Sequence, residues 1–303
     1  MYKHILSLLL ILALLFPCLA SAEGRDKRVY FVGEEDAVPF AEDAQTFDLY
    51  VCPLMGADSM VLTAQGETML LDMGTNSSYT VIKDVLDDLG IERIDIAYNS
   101  HPHNDHLGSM KKVLRDYPVG AFMTGFPEKD PDNETQRDMV KAVRAADVPV
   151  ITVKDGDTFT LGDARMTVIQ QTKYGGYNQR SAMLRVEYGE CTLLLTGDVV
   201  GAVQRDIARE HDLSADIFKL PHHGINTLYA EFLEDIDPEY AFITHGYRNT
   251  KKVQQQLDEA GILYHFATWG VIHLSSNGEY WLVEQTLTED GELIREEYLS
   301  QRK

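Results

Sequence analysis

Two hydrophobic periods alternate along most of this chain. Short apolar runs at 47–54, 59–63 and 68–71 read as strands, separated by the turn residues Gly56-Ala57-Asp58 and Gln65-Gly66-Glu67. Val81, Ile82, Val85, Leu86 and Leu89 then recur on one helical face. That spacing predicts a helix over 77–89, capped at Asn76 or Ser77 and ended by Gly90. The alternation continues with strands at 94–98, 148–153, 165–170, 183–188, 192–195, 217–220, 240–244, 262–266 and 271–274. Helices are predicted over 134–146, 200–210, 228–233 and 250–260, and another begins near Gly108. No linker-like stretch interrupts 47–284, and no short repeat is present. Two runs of strands, each mixed with helices, predict a layered α/β fold: two sheets packed together with helices outside. We expect one domain over 47–285, an irregular charged lead-in over 23–46 and a charged tail over 286–303.

The first residues follow a different pattern. Lys3 and His4 precede an apolar run over 5–16, then Pro17, Cys18 and the triplet Ala20-Ser21-Ala22. A charged start, an apolar run too short to cross a bilayer comfortably and a small-x-small site predict an export signal over 1–22. The expected mature chain is secreted or held in the cell envelope and carries no transmembrane span; an uncleaved anchor is the rival. Cys52 and Cys191 lie in apparent strands and read as small buried apolar groups. No further cysteine is left to complete a thiolate zinc site.

Composition adds one constraint. The 303 residues hold 27 Lys plus Arg against 48 Asp plus Glu, a formal charge of -21. A chain this acidic repels polyanions unless it carries a local basic patch or bound cations. The local basic candidates are Lys111-Lys112, Arg180, and Arg248 with Lys251-Lys252.

The candidate chemistry sits where strands end. In Ser100-His101-Pro102-His103-Asn104-Asp105-His106, four potential metal ligands fall within six residues after an apolar strand. Alternation along an extended loop lets His101 and His103 point the same way, while Asp105 and His106 follow a turn and can face a second ion. Imidazole and carboxylate suit zinc first, with manganese or iron as alternatives. A second strand ends in Thr196-Gly197-Asp198, and a third leads into Lys219-Leu220-Pro221-His222-His223-Gly224.

With these segments in order, the chain resembles the metallo-β-lactamase superfamily, whose signature is His-x-His-x-Asp-His. More narrowly it resembles the hydrolase domain attached to ComEC-type DNA-uptake proteins. Leu54-Met55-Gly56-Ala57-Asp58-Ser59 matches that branch's Gly-x-Asp-Ser turn, and Leu70-Leu71-Asp72-Met73-Gly74 its Leu-Ile-Asp-x-Gly segment. The resemblance covers roughly 47–275. It implies an αβ/βα sandwich with two divalent ions along one edge: His101 and His103 on one, Asp105 and His106 on the other, and Asp198 bridging. His222 or His223 would complete the shell, and Asp72 would orient the histidine loop from outside it. Asn178 stands near where many members place another histidine, as the branch also tends to have. The branch's late Tyr-Gly-His-Pro segment reads Gly246-Tyr247-Arg248-Asn249-Thr250 here, which leaves His245 as a possible substitute ligand. His265 and His273 read as structural and His211 as a surface residue.

The implied reaction is attack by a metal-activated water, with Asp105 holding the nucleophile and taking its proton. His223, if free of metal, would protonate the leaving group. Lys219 would support a phosphate or lie on the outer face. A phosphodiester is the expected substrate, small or envelope-borne rather than long duplex DNA because of the net charge. The alternatives are lactone, thioester or β-lactam hydrolysis on the same site, or an exported accessory module whose metal site has decayed. The sequence leaves the oligomeric state open.

Overall fold

The computed structural model describes residues 26–126 and 134–302. The expected export signal lies outside the described residues. Among them, strands form two sheets. The nine-stranded sheet runs, in spatial order, Val29–Phe31, Trp281–Leu287, Gly270–Ser276, Phe47–Val51, Met60–Ala64, Glu67–Leu71, Ile94–Asn99, Val119–Thr124 and Val150–Thr152. The seven-stranded sheet runs Leu263–Phe266, Tyr240–Ile243, Ile217–Lys219, Cys191–Leu195, Met183–Tyr188, Ala164–Ile169 and Thr158–Leu161.

Alternation within each strand divides the core into three slabs. Leu193 and Leu195 face the other sheet, where they join Leu49, Val51, Met60, Leu62, Met166, Val168, Leu184 and Val186. Leu194 between them faces the opposite way and packs with Phe218, Ala241 and Ile243 under the helices that contribute Val203, Ile207, Phe232 and Leu257. The outer face of the larger sheet buries Val61, Leu70 and Ala97 beneath Ile82, Val85, Leu86, Val113 and Val143. Strands buried on both faces read as unbroken apolar runs, as Leu193, Leu194 and Leu195 do. The result is the predicted architecture: helices, sheet, sheet, helices.

Strand direction places the site. Glu67–Leu71, Ile94–Asn99 and Val119–Thr124 are parallel neighbours in one sheet. Cys191–Leu195, Ile217–Lys219 and Tyr240–Ile243 are parallel neighbours in the other. Their carboxyl ends open into loops at one edge of the sandwich, where sites of open α/β sheets form.

The fold differs from the sequence reading at both ends. The lead-in carries a strand, Val29–Phe31, paired in parallel with Trp281–Leu287. It is too short for period-2 alternation to show. The charged tail continues as the strand Trp281–Leu287 and then the helix Glu289–Gln301. Thr288 caps that helix by accepting from Gly291 N at 3.0 Å, and Glu289, Asp290 and Glu292 sit at the positive end of its dipole. Its acidic first turn resembles a solvated tail in sequence, yet Tyr298 is buried against Trp269 and Phe266. The short strands Val119–Thr124 and Thr158–Leu161 also escaped the sequence reading. Cys52 and Cys191 are buried free thiols, and burial pushes each up to about 12. No helix among the described residues is long and apolar enough to cross a membrane.

Gly291 fixes the docking of the last helix, because a Cβ there would stand 1.8 Å from the Trp269 carbonyl oxygen. Gly291→Ala is therefore expected to destabilise the protein by about 1–3 kcal/mol in urea unfolding. An unchanged midpoint would show that this helix is not docked on Trp269.

Candidate metal centre

The loops after five strands meet around the carboxylate of Asp198. His106 Nε2 lies 3.1 Å from Asp198 Oδ2, His101 Nε2 and His223 Nε2 each 3.6 Å, and His222 Nε2 4.0 Å. His103 Nδ1 is 3.0 Å from His101 Nε2, and Asp105 Oδ2 is 3.3 Å from His223 Nε2. The structure thus brings together the residues singled out in sequence: His101, His103, Asp105, His106, Asp198, His222 and His223. His101, His106, Asp198 and His223 are buried, whereas His222 is a quarter exposed at the rim.

Outer hydrogen bonds decide which nitrogens face inward. Asp72 accepts from Ser100 N at 2.8 Å, Ser100 Oγ at 2.7 Å and Asn99 Nδ2 at 3.0 Å, and it also takes His106 Nδ1 at 2.7 Å. Ser100 Oγ, having donated to Asp72, is left to accept from His101 Nδ1 at 3.1 Å. His223 Nδ1 faces Asp58 Oδ1 at 3.1 Å and Thr244 Oγ1 at 3.0 Å. With the outer nitrogens acting as donors, the inner nitrogens of all three rings are bare lone pairs turned toward carboxylate oxygens. Asp198 Oδ1 and Asn178 Oδ1 are buried without a hydrogen-bond partner.

This donor set fits divalent metal. Ligand atoms about 2.0–2.1 Å from a tetrahedral zinc stand about 3.3–3.4 Å from one another. The separations here, 3.0–3.6 Å among the closest members, match those edges. The alternative source of positive charge is protons. Burial pulls His106 and His223 down, but the facing carboxylates outweigh it. Asp198 and Asp72 hold His106 well above its ordinary value, and Asp58 and Asp198 raise His223 to about 9. Burial likewise pushes Asp198 up, yet His106, His223 and His101 hold it well below the carboxylate range. Buried His101, beside imidazoles as well as Asp198, is instead held well below its ordinary value.

Two residues acquire places that sequence alone did not give them. Asp58 joins His106, Asp198 and His223 in a buried group whose ligand atoms lie within 4.8 Å of one another. In sequence it was only a turn residue of the Gly-x-Asp-Ser match; a carboxylate flanked by apolar strands was the available signal. Its Oδ2 is taken by Lys219 Nζ at 2.6 Å and its Oδ1 by His223. Lys219 is fully buried and neither lies on an outer face nor can reach a substrate phosphate. Besides Asp58, its ammonium donates to the carbonyls of Gly197 at 2.9 Å and Leu220 at 3.1 Å.

Asn178 reaches the cluster's edge, with Nδ2 3.3 Å from His222 Nε2. His245 packs its ring over Gly56, where a Cβ would meet Cδ2 at 3.0 Å, and its Nδ1 accepts from Gly246 N at 2.7 Å. That nitrogen is committed to backbone. His273 bonds Asp48 at 2.8 Å and stacks on Tyr50, and His265 meets the Tyr240 hydroxyl at 3.1 Å, both structural as expected. His211 lies beside Asp155 at 3.4 Å, away from the cluster.

These features place the chain among layered α/β proteins built around a histidine–aspartate centre. The chain belongs to the metallo-beta-lactamase superfamily, whose family model matches residues 53–245. It is 24% identical over 239 residues to ComE operon protein 3 of Bacillus subtilis (strain 168), covering 67% of this chain and 30% of that one. It is 28% identical over 214 residues to competence protein ComA of Neisseria gonorrhoeae, covering 67% of this chain and 28% of that one. The chain thus spans under a third of the length of these curated relatives. CmlA, a diiron beta-hydroxylase from Streptomyces venezuelae, superposes with a TM-score of 0.51 at 12% identity, covering 74% of this chain and 53% of that one. That likeness is one of fold.

The raised histidines give the chelated protein a definite pH dependence. A folded value above the ordinary 6.5 adds stability that is complete below 6.5 and is lost as pH rises through about 9. In EDTA the urea midpoint is expected to fall between pH 6.5 and 9, and saturating zinc to flatten the curve. A flat curve in EDTA would contradict the proton-filled cluster. Asp72→Asn, which weakens the orientation of His106 and Ser100, is expected to cost 10- to 100-fold in zinc affinity, measured by competition with a chromogenic chelator. An unchanged affinity would remove Asp72 from the account.

Proposed function

We propose that the protein is a hydrolase with a two-ion centre that acts on a phosphodiester, small or carried on a cell-envelope polymer. The observation that carries this reading is the convergence of two ligand groups on one oxygen, Asp198 Oδ2. His101 Nε2 and His103 Nδ1 form the first group with it, flanked by His222 and Asn178. Asp105 Oδ2, His106 Nε2 and His223 Nε2 form the second. Zinc is the favoured ion, with manganese and iron as alternatives. Divalent ions held there would supply Lewis acidity and bring the pKa of water toward neutrality.

The chain's own residues define the remaining roles. Asp105, a third exposed, is the carboxylate of the second group open to solvent. It positions the attacking water and accepts its proton. His223 is buried, with Nδ1 held by Asp58 and Nε2 turned to Asp105 and Asp198, so it serves as a ligand. Proton delivery to the leaving group falls to rim-exposed His222, whose ring stands between Asn226 at Nδ1 and Asn178 at Nε2. Asp72 and Asp58 orient His106 and His223, while Lys219 keeps Asp58 in place.

Charge and kinship support the substrate class. One residue in each of two basic candidate sites is paired with an acid, Lys111 with Asp138 at 3.0 Å and Arg248 with Glu297 at 2.5 Å. A long strand would find little to grip on a surface with net charge -21. The resemblance to the hydrolase domain of ComEC-type proteins implies phosphodiester rather than carbonyl chemistry. Export to the envelope fits the apolar start of the sequence.

The test is a substrate panel: bis-p-nitrophenyl phosphate, p-nitrophenyl phosphorylcholine, single-stranded DNA, a lactone and nitrocefin, with metal content measured alongside. We expect two ions per chain, hydrolysis of the small phosphodiesters and a loss of at least about 1,000-fold in His103→Ala. Cleavage of the lactone or nitrocefin with no phosphodiester turnover would replace this reading with carbonyl hydrolysis. An absence of bound metal would support an accessory module.

A further inference from the structure

Segment 177–181 touches the cluster at three points. The Tyr177 ring meets the His103 ring edge-on at 5.7 Å, Asn178 faces His222, and Ser181 Oγ accepts from Asp198 N at 3.1 Å. Its backbone is pinned, because Gln170 Nε2 donates to the carbonyls of Arg180 at 2.8 Å and Gly125 at 3.1 Å. Arg180 projects from this fixed support. Its guanidinium carbon lies 5.2 Å from the Phe126 ring centre and 5.4 Å from that of Tyr177.

Among the described residues no acidic side chain answers this charge. Arg180 Nε is buried with no hydrogen-bond partner, and no carboxylate among the described residues lies within ion-pair distance. In a chain with 48 acids and 27 bases, an unanswered arginine beside the candidate centre calls for an occupant. Guanidinium is planar and forked, matches two oxygens of a phosphate or carboxylate, and is held in orientation by the aromatic faces beneath it. The position also sets the distance. Tyr177 touches both Arg180 and His103, so the guanidinium and the reacting groups share one ring as a neighbour.

We propose that Arg180 is a substrate-binding residue that takes a second anionic group, a phosphate or carboxylate, next to the scissile ester. The preferred substrate is then one with closely spaced anions, such as a short oligonucleotide end or a repeating phosphate polymer. This assignment rests on reading the Asp198 cluster as a phosphodiester hydrolase centre.

Binding tests it without requiring turnover. The zinc-loaded protein is titrated calorimetrically with thymidine 5′-monophosphate and thymidine 3′,5′-bisphosphate, and in a second arm with glycerol phosphate and glycerol 1,3-bisphosphate. Wild type is expected to bind each bisphosphate about tenfold or more tighter than its monophosphate. Arg180→Ala is expected to remove most of that preference and leave monophosphate affinity within about twofold, while Arg180→Lys keeps part of it. A preference in only one arm identifies the nucleotide or the polyol phosphate as the source. Thermal melts check folding, and Arg180→Gln takes the place of the alanine variant if that variant fails to fold. No bisphosphate preference in wild type, a preference surviving in Arg180→Ala, or an equal loss for both ligands would each overturn the assignment. If the preference appears but the panel shows no phosphodiester cleavage, the hydrolase reading fails and the anion site stands.

Discussion

Lone pairs crowded into a dry cleft are the constraint on which this structure depends. His101, His106 and His223 turn bare nitrogens toward the oxygens of Asp198 and Asp105, all but Asp105 out of contact with water. Such acceptors repel one another unless positive charge stands among them, and burial raises the cost of leaving them unmet. Raised histidine affinities for protons and the fit to metal-ligand spacing are two expressions of that one demand. The fold must therefore hold this arrangement against its own electrostatics.

Backbone geometry shows where the holding occurs. Asp72, His222 and His223 adopt left-handed conformations at φ of 55°, 48° and 55°. For non-glycine residues such conformations cost about 1–3 kcal/mol each and persist only where surroundings over-determine them. Asp72 is fixed by its four donors. His223 is clamped between Asp58 and the inner carboxylates. The consecutive turn at His222 and His223 sends one ring to the rim and the other into the cluster, so neighbours in sequence take different parts.

Lys219 and Arg180 show how an acidic protein allots its cations. Lys219 is consumed internally: its charge pins Asp58 and satisfies the carbonyls of Gly197 and Leu220. Arg180 is stacked on aromatic rings and has no carboxylate partner among the described residues. The contrast is invisible in composition, since both residues count equally toward the net charge. Only burial and partners distinguish a cation that builds the site from one that remains available to it.

The sequence by itself determined the layered fold and most of the cluster, because both rest on local signals. Period-2 and period-3.6 patterns mark elements whose faces must be buried, and four candidate ligands within 101–106 need no distant partner to be noticed. Signals that depend on distant partners escaped. Asp58 looks like any turn aspartate until Lys219 and His223, more than 160 residues away, close around it. The helix Glu289–Gln301 looks like a solvated tail until Gly291 fits against the Trp269 carbonyl. Which nitrogen of each histidine turns inward, and which of two adjacent histidines enters the cluster, were decided by tertiary structure alone. Those choices belong to hydrogen bonds between chain-distant loops, which exist only once parallel strand ends from both sheets share one edge.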